Sequence, residues 1–182
     1  NSPKITLLLG MLGKLAEEAG LGQLQEIKQV EKKLASLLSP EYQKVIDAIH
    51  CEWIEVEDVQ AIIFETIIEA IVHNTLIEIT YRSIKGENSN RQVEPVKIVN
   101  YQGRWYLLAY CTLRKEIRVF HVARIIRAEL TKEKVLEKHT VPAAFLEQSF
   151  GIFKGEVLYH ARIHFTDTAA ELVQKQHWHK KQ

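Results

Sequence analysis

The spacing of apolar residues changes near residue 75 and divides the chain into a helical part and a strand part. Before this point, apolar residues recur every three or four positions, which is the period of a helix with one buried face. The pattern predicts helices at 4–19, at 23–38, from Pro40 or Glu41 after the N-cap Ser39, and at 57–73. The last helix has a narrow polar stripe, so we expect most of its circumference to be covered.

After residue 75, apolar and polar residues alternate, and the alternating runs predict five short strands. The predicted strands are residues 76–82, 91–99, 104–111, 117–122 and 124–130. Gly86 and Gly103 lie in two of the turns between them, and Pro95 predicts an edge or bulge position in the second strand. Because closure removes free strand edges, five strands joined by tight turns predict a small β-barrel.

The third of these strands is apolar on both faces, although a strand in a small domain usually presents one polar side to water. The residues on one face are Trp105, Leu107 and Ala109, and those on the other are Tyr106, Leu108 and Tyr110. We therefore expect one face to point into the barrel. The other is expected to lie under the helix at 57–73 or under a neighbouring segment.

The residues after Lys138 predict the start of another domain. A link with Pro142 precedes a short helical piece at 145–154, a strand at 156–166 and a helix capped by Asp167 or Thr168. One strand and one helix cannot bury a core of their own. The predicted fold class is α+β: N-terminal helices, a small five-stranded Sm-like or SH3-type β-barrel, and an incomplete α/β extension. The predicted boundaries are 1–75, 76–138 and 139–182.

Charge is divided at nearly the same place as periodicity. The chain as a whole has a net charge of +1, which indicates no particular partner. Residues 1–75 hold six Lys, no Arg and twelve acidic residues, whereas residues 82–127 hold seven Arg, three Lys and three Glu. The net charges are therefore −6 and +7. Guanidinium groups pair bidentately with phosphate and stack on rings, so the second window is a candidate binding surface. The alternative is a solvated basic face.

The sequence gives little support for an enzyme or a metal protein. Cys51 and Cys111 form no CxxC pair and are expected to be reduced core thiols in a cytoplasmic protein. No apolar run reaches the length of a membrane span, and no secretory signal is recognisable. His160 and His164 have no acidic or Cys partner at ligand spacing. With no nucleophile elbow and no phosphate loop, we predict no catalytic residues, no metal and no cofactor.

The run from Ile79 to Ile125 resembles the WYL domain, whose name matches the triplet Trp105-Tyr106-Leu107. Three further segments agree in order with the family: "ITYRS", "RQVEP" and "RVFHVARI". The resemblance implies an Sm-like barrel, with a helical connector before it and a C-terminal extension after it. The family's winged helix-turn-helix is not recognisable here, because residues 1–75 are acidic and a poor surface for phosphate. DNA would be contacted through a missing N-terminal domain.

The resemblance also implies an effector pocket lined by basic and aromatic residues. Carried over by motif position, the candidates are Tyr81, Arg91, Tyr106, Arg118, His121 and Arg124. Guanidinium forks and rings together suit an anionic ligand with a flat group, such as a nucleotide or short single-stranded nucleic acid. Each candidate has a structural alternative: the tyrosines as core, the arginines as ion pairs with Glu94 or Glu116, and the histidine as a satisfied structural residue.

Three functions remain open on this evidence. The first is the effector-sensing part of a bacterial transcription regulator, forming a homodimer. The second is an Sm-like module whose function is to bind nucleic acid, which a steep salt dependence would favour. The third is a dimerisation domain without a ligand, in which internal carboxylates would occupy the arginines.

Overall fold

The structure is a computed structural model, and it describes residues 3–49, 56–142, 162–174 and 176. The chain forms two compact units, Asn1–Val141 and Pro142–Gln182. Each unit is described by itself below. The predicted boundary near residue 75 separates the helical part and the strand part of the first unit, and the three-domain division stays a prediction.

Within residues 3–49 and 56–73, the structure shows four α-helices, as the spacing of apolar residues predicts. They are α1 (Pro3–Ala16), α2 (Gln25–Leu37), α3 (Pro40–Asp47) and α4 (Ala61–His73). A π-helical turn at Glu17–Leu21 follows α1. Helix α4 begins four residues later than predicted, because Gln60 at its N-terminus has extended backbone angles. The segment 56–60 is therefore outside the helix, and this segment contacts the candidate site.

Five antiparallel strands follow the helices within residues 74–142, and the α+β class is confirmed. The strands are β1 (Thr75–Arg82), β2 (Asn88–Tyr101), β3 (Arg104–Cys111), β4 (Glu116–His121) and β5 (Ile125–Lys134). Their order in the sheet is β4-β3-β2-β1-β5. The register of β2 on β3 shifts between Pro95 and Lys97. Because β2 is an interior strand, the edge position is excluded for Pro95, and the predicted bulge position is confirmed.

The predicted closure of the sheet into a barrel is not confirmed. The described strands form an open sheet in which β4 and β5 are the two outer strands. The chain passes between these strands through a 3₁₀ turn at Val122–Arg124. Across the opening, β1 and β4 meet through a side chain, because the N–H of His121 donates to the hydroxyl oxygen of Tyr81. A single bond of this kind does not continue the backbone ladder.

The core lies between α4 and one face of the sheet. Its helix side consists of Ile63, Phe64, Ile67 and Ala70, and its sheet side includes Ile77, Ile79, Val93, Leu107 and Ile125. The outward face of α4 differs from the prediction: Ile62 and Val72 are 67% and 62% exposed. The expectation that most of the helix circumference is covered is therefore wrong, because α4 buries one side only, against the sheet.

The two faces of β3 are covered by different parts of the chain. Leu107 and Ala109 lie in the core with α4, and the Trp105 ring meets Phe64 edge to face, with centroids 5.2 Å apart. On the other face Tyr106 is buried. The Tyr110 ring on this face stacks on the His139 ring, with centroids 3.4 Å apart. The prediction that one face lies under the helix at 57–73 is confirmed for the face of Leu107 and Ala109. The prediction that the other face points into a closed barrel is not confirmed.

His139 also anchors the segment after β5. Its backbone N–H donates to Glu94 Oε1 at 3.1 Å, and its Nδ1 lies 2.6 Å from Glu94 Oε2. Glu94 is buried in β2, opposite Tyr110 in the register. A buried carboxylate is costly without partners, so this pairing stabilises both the strand and the segment that follows β5.

The second unit has one described helix, α5 (Asp167–Val173), whose N-cap is Thr166, one residue before the predicted cap. Residues 162–166 form no strand, whereas the sequence predicts one there. The remainder of that strand and the helical piece at 145–154 lie outside the described residues. None of the helices in the described ranges is long and apolar enough to cross a membrane.

Candidate functional site

Tyr81, near the end of β1, lies beside the residues that end β4. The Phe120 ring meets the Tyr81 ring edge to face, with centroids 5.3 Å apart. The backbone N–H of His121 donates to the Tyr81 hydroxyl oxygen at 3.4 Å. Cζ of Arg124 lies 6.0 Å from the centroid of the Tyr81 ring, a distance at which the ring face attracts a guanidinium group. Three residues predicted from the sequence therefore lie together.

Tyr106 joins this group from β3. It is opposite His121 in the register of β3 on β4, and the two rings stack with centroids 4.8 Å apart at 21°. Burial raises the pKa of the Tyr106 hydroxyl, so this group is neutral at physiological pH. Tyr81, Tyr106, His121 and Arg124 thus form one group, which we call the Tyr–His–Arg cluster.

Glu57, in the segment before α4, contacts this cluster. Its Oε2 lies 2.5 Å from Nε2 of His121, and its Oε1 lies 3.7 Å from Nε of Arg104. Glu57 Oε2 and His121 Nε2 are buried atoms, and the described part of the chain gives neither a well-aligned hydrogen bond. The two atoms lie within hydrogen-bonding distance, and the carboxylate favours the protonated form of the imidazole.

Arg104 supplies a second guanidinium group beside the cluster. It begins β3, and its side chain forms a hydrogen bond with the hydroxyl of Tyr106. Arg104 and Arg124 both act on the His121 imidazole through their positive charges. The described residues of the site therefore include two guanidinium groups and one titratable imidazole, with the Glu57 carboxylate among them.

Burial lowers the pKa of His121 below its usual 6.5. The neighbouring carboxylate of Glu57 acts in the opposite direction, and the charges of Arg124 and Arg104 add to the lowering. The imidazole is therefore predominantly neutral at physiological pH, and an added anion would favour its protonation.

His121 gives a testable pH dependence of stability. Because its folded pKa lies below the unfolded value of about 6.5, the unfolded chain binds the proton first as the pH falls. Above about pH 6.5, His121 should leave the free energy of unfolding unchanged. As the pH falls below this value, His121 should lower the free energy of unfolding progressively. Urea unfolding of the wild type and of His121→Gln between pH 7.5 and 5.5 measures the difference. Identical pH dependence in both proteins would contradict this assignment.

The other two predicted residues, Arg91 and Arg118, have contacts on their own strands. Nη1 of Arg91 donates to the carbonyl oxygen of Asn90 at 2.7 Å. Nη1 of Arg118 lies 2.6 Å from Oε1 of Glu116, and both side chains are about half exposed. The structure therefore shows Arg118 in an ion pair with Glu116, which is the structural alternative that the sequence offers for the arginines. A ligand role for these two arginines stays a prediction.

Sequence reasoning missed two residues of the site, Glu57 and Arg104. Glu57 falls inside the predicted helix at 57–73, where a carboxylate at the start of a helix has an ordinary local explanation. Glu57 and His121 are 64 residues apart in the sequence. The spacing of apolar and polar residues does not predict contacts between residues this far apart. Arg104 belongs to the arginine-rich window, but the motif positions carried over did not include it.

The groups in the cluster can contact an anion and a flat ring. Guanidinium groups bind phosphate or carboxylate oxygens through charge-assisted hydrogen bonds, and the tyrosine rings provide surfaces for a flat group. Across 3–49, 56–142, 162–174 and 176, no three His, Cys, Asp or Glu side chains are placed to hold a metal ion. Cys111 is a buried free thiol, and Cys51 lies outside the described residues.

Comparison with known proteins agrees with the motifs in the strands. The WYL domain family matches residues 62–130, which include every member of the Tyr–His–Arg cluster. The uncharacterized HTH-type transcriptional regulator YobV of Bacillus subtilis (strain 168) is 40% identical over 73 residues, which are 40% of this chain and 23% of YobV.

A solved structure with some similarity is the proteasome accessory factor B/C (PafBC) of Arthrobacter aurescens. It has a TM-score of 0.44 and 21% identity, over 79% of this chain and 23% of that one. This chain therefore spans about a quarter of the length of the relatives it matches. The resemblance noted in the sequence is confirmed, because the WYL domain family matches residues 62–130 of this chain.

Proposed function

We propose that this chain is the effector-sensing part of a bacterial, cytoplasmic transcription regulator. In this proposal the Tyr–His–Arg cluster, with Arg104, binds an anionic ligand that carries a flat group. A nucleotide or a short single-stranded nucleic acid meets both requirements. Binding then changes the DNA affinity of a DNA-binding unit that lies outside this sequence.

The observation that carries the proposal is the gathering of positive charge beside two aromatic rings. Arg124 lies over the Tyr81 ring at 6.0 Å, and Arg104 is hydrogen-bonded to Tyr106. Aromatic stacking contributes about 1–3 kcal/mol per base. A charge-assisted hydrogen bond contributes about 1.5–3 kcal/mol. Micromolar affinity corresponds to about −8 kcal/mol, and association costs about 4 kcal/mol or more, so several such contacts must act together.

A homodimer is part of the same proposal. Helix α1 exposes a stripe of apolar side chains: Ile5, Leu8, Leu9 and Leu12, which are between 46% and 60% exposed. Apolar surface of this kind is a common feature of protein–protein interfaces. The dimer would place two sensing sites in one regulator, so that one ligand-dependent change acts on both DNA-binding units.

Fluorescence anisotropy with a fluorescein-labelled octathymidylate tests the binding proposal directly. We expect saturable binding that weakens with salt, with a slope of log K against log salt of about −2 for three neutralised phosphates. Thymidine monophosphate as a competitor separates the two ligand classes: effective competition favours a nucleotide effector, and weak competition favours a strand. Absence of binding for both probes would contradict the proposal.

The second candidate function is an Sm-like module that only binds nucleic acid, and it predicts a different outcome of these experiments. It predicts tight binding of unrelated strands with broad sequence tolerance and no change in the helical part of the chain. Hydrogen exchange in α1 and α2 with and without octathymidylate distinguishes the two, because a sensor must transmit binding to the connector.

A further inference from the structure

The carboxylate of Glu57 occupies the position among the cationic groups that an anionic ligand would need. We propose that Glu57 is an internal competitor for this ligand, and that its displacement transmits binding to the helical connector. The inference rests on the proposed function, because it assigns a regulatory step to the same site. It makes Glu57 a positioning and gating residue rather than a ligand contact.

The geometry of the contact fits a group that can be replaced. Glu57 Oε2 lies 2.5 Å from His121 Nε2, and this close partner is an imidazole that burial keeps predominantly neutral rather than a fixed positive charge. On the other side, 3.7 Å separates Glu57 Oε1 from Arg104 Nε, which is too long for a hydrogen bond. The Glu57 side chain is 37% exposed although its Oε2 is buried, so leaving the cluster would restore the hydration of the carboxylate.

The backbone of Glu57 is closely packed against the end of the connector. Gly20, in the π-helical turn after α1, has φ +87°, and a Cβ there would lie 2.7 Å from the carbonyl oxygen of Glu57. The N–H of Val59 donates to the carbonyl oxygen of Gly20 at 3.4 Å. Glycine is required at this position both by the backbone angle and by the close approach. Movement of Glu57 therefore reaches the turn that ends α1.

A second contact connects the same turn to β3. Nε1 of Trp105 donates to the carbonyl oxygen of Ala19 at 2.7 Å, and the indole packs on Phe64 of α4. Trp105 stands between Arg104 and Tyr106 in the sequence, on the opposite face of the strand. The turn at Glu17–Leu21 is thus held from both sides, by the Glu57 segment and by the strand that carries the site.

These contacts define two arrangements that a ligand can distinguish. In one, Glu57 is among the cations and the segment 56–60 is held against Gly20. In the other, ligand oxygens take the place of the carboxylate and the segment is released. A ligand shifts the balance only by its greater affinity for the second arrangement. Repulsion between Glu57 and the ligand anion supplies that difference.

Anisotropy titrations with fluorescein-labelled octathymidylate on wild type, Glu57→Gln and Glu57→Asp test the inference. Glu57→Gln keeps the size of the side chain and removes its charge, so we expect about a tenfold gain in affinity, equivalent to about 1.4 kcal/mol. Glu57→Asp withdraws the carboxylate by one methylene and should give a smaller gain. Glu129→Gln is the matched control, because it makes the same change in net charge beside Arg127, away from the cluster.

Hydrogen exchange supplies an independent readout on the unmodified chain. We expect octathymidylate to accelerate exchange of the Val59 amide, which bonds to Gly20 in the free protein. In Glu57→Gln the amide should exchange faster even before the probe is added.

The outcomes separate the inference from the proposed function. If the wild type binds and Glu57→Gln binds no better than Glu129→Gln, the sensing proposal stands and the competitor role is refuted. An unchanged or slower Val59 exchange on binding refutes it as well. If wild type and both Glu57 variants all fail to bind octathymidylate and thymidine monophosphate, the proposed function fails and the inference fails with it.

Discussion

Replacing Arg124 by alanine is expected to lower the affinity for octathymidylate by about 10- to 100-fold. The guanidinium group lies over the Tyr81 ring and acts on the His121 imidazole, so it is central in the cluster. Loss of a charge-assisted hydrogen bond to a phosphate costs about 1.5–3 kcal/mol, which corresponds to this range. Fluorescence anisotropy with the labelled oligonucleotide measures the change, and the slope of affinity against salt should become less steep.

Two matched variants show whether this effect depends on position or on charge alone. Arg127→Ala removes the same charge from a side chain that is 69% exposed and paired with Glu129, and it should change affinity less than threefold, as expected for a weak surface pair. Arg124→Lys keeps the charge but loses the planar fork, so it should recover part of the affinity. Equal losses in Arg124→Ala and Arg127→Ala would show that the cluster has no special role.

Replacing Ile67 by alanine is expected to lower the free energy of unfolding by about 2–5 kcal/mol. Ile67 is fully buried in α4 and packs in the core that the helix shares with the sheet. Truncation removes buried methylene groups and leaves a cavity, and the surrounding side chains fill it only in part. Urea unfolding followed by circular dichroism measures the loss.

Ile62→Ala is the control on the same helix. Ile62 is 67% exposed, so this variant makes the same chemical change where little apolar surface is buried. We expect a change within about 0.5 kcal/mol. If both variants were equally destabilising, the orientation of α4 on the sheet described here would be wrong. If neither were destabilising, the helix would contribute little to the core.

The sequence predicts the strands of the sheet well because each strand has its own local pattern of apolar and polar residues. The alternation in β1 and the run at β3 separate core from opposite-face residues correctly, and Pro95 indicates a bulge where the register shifts. Such patterns depend on residues near one another in the chain. Closure of the barrel depends instead on whether β4 and β5 pair with each other. The 3₁₀ turn at Val122–Arg124 joins these strands, and three residues are too few to show a pattern of apolar spacing that would predict the turn.

The site is only partly predictable for the same reason. Tyr81, Tyr106, His121 and Arg124 lie in recognisable motifs, and the fold brings these four together. Glu57 was missed because its contact with His121 depends on an extended segment packing against Gly20, a tertiary feature with no local signature. Arg118 shows a different limit: the sequence offers both a ligand role and an ion pair with Glu94 or Glu116, and only the structure shows the pair with Glu116.

An NMR titration of the isotopically labelled chain with unlabelled octathymidylate tests the central claim most directly. Saturable shifts in the side-chain signals of Arg124 and Arg104 and in the His121 imidazole, with Arg127 unchanged, are the predicted result. Shifts confined to Arg127 and other arginines away from the Tyr–His–Arg cluster would contradict the account, and so would a spectrum that does not change at saturating oligonucleotide.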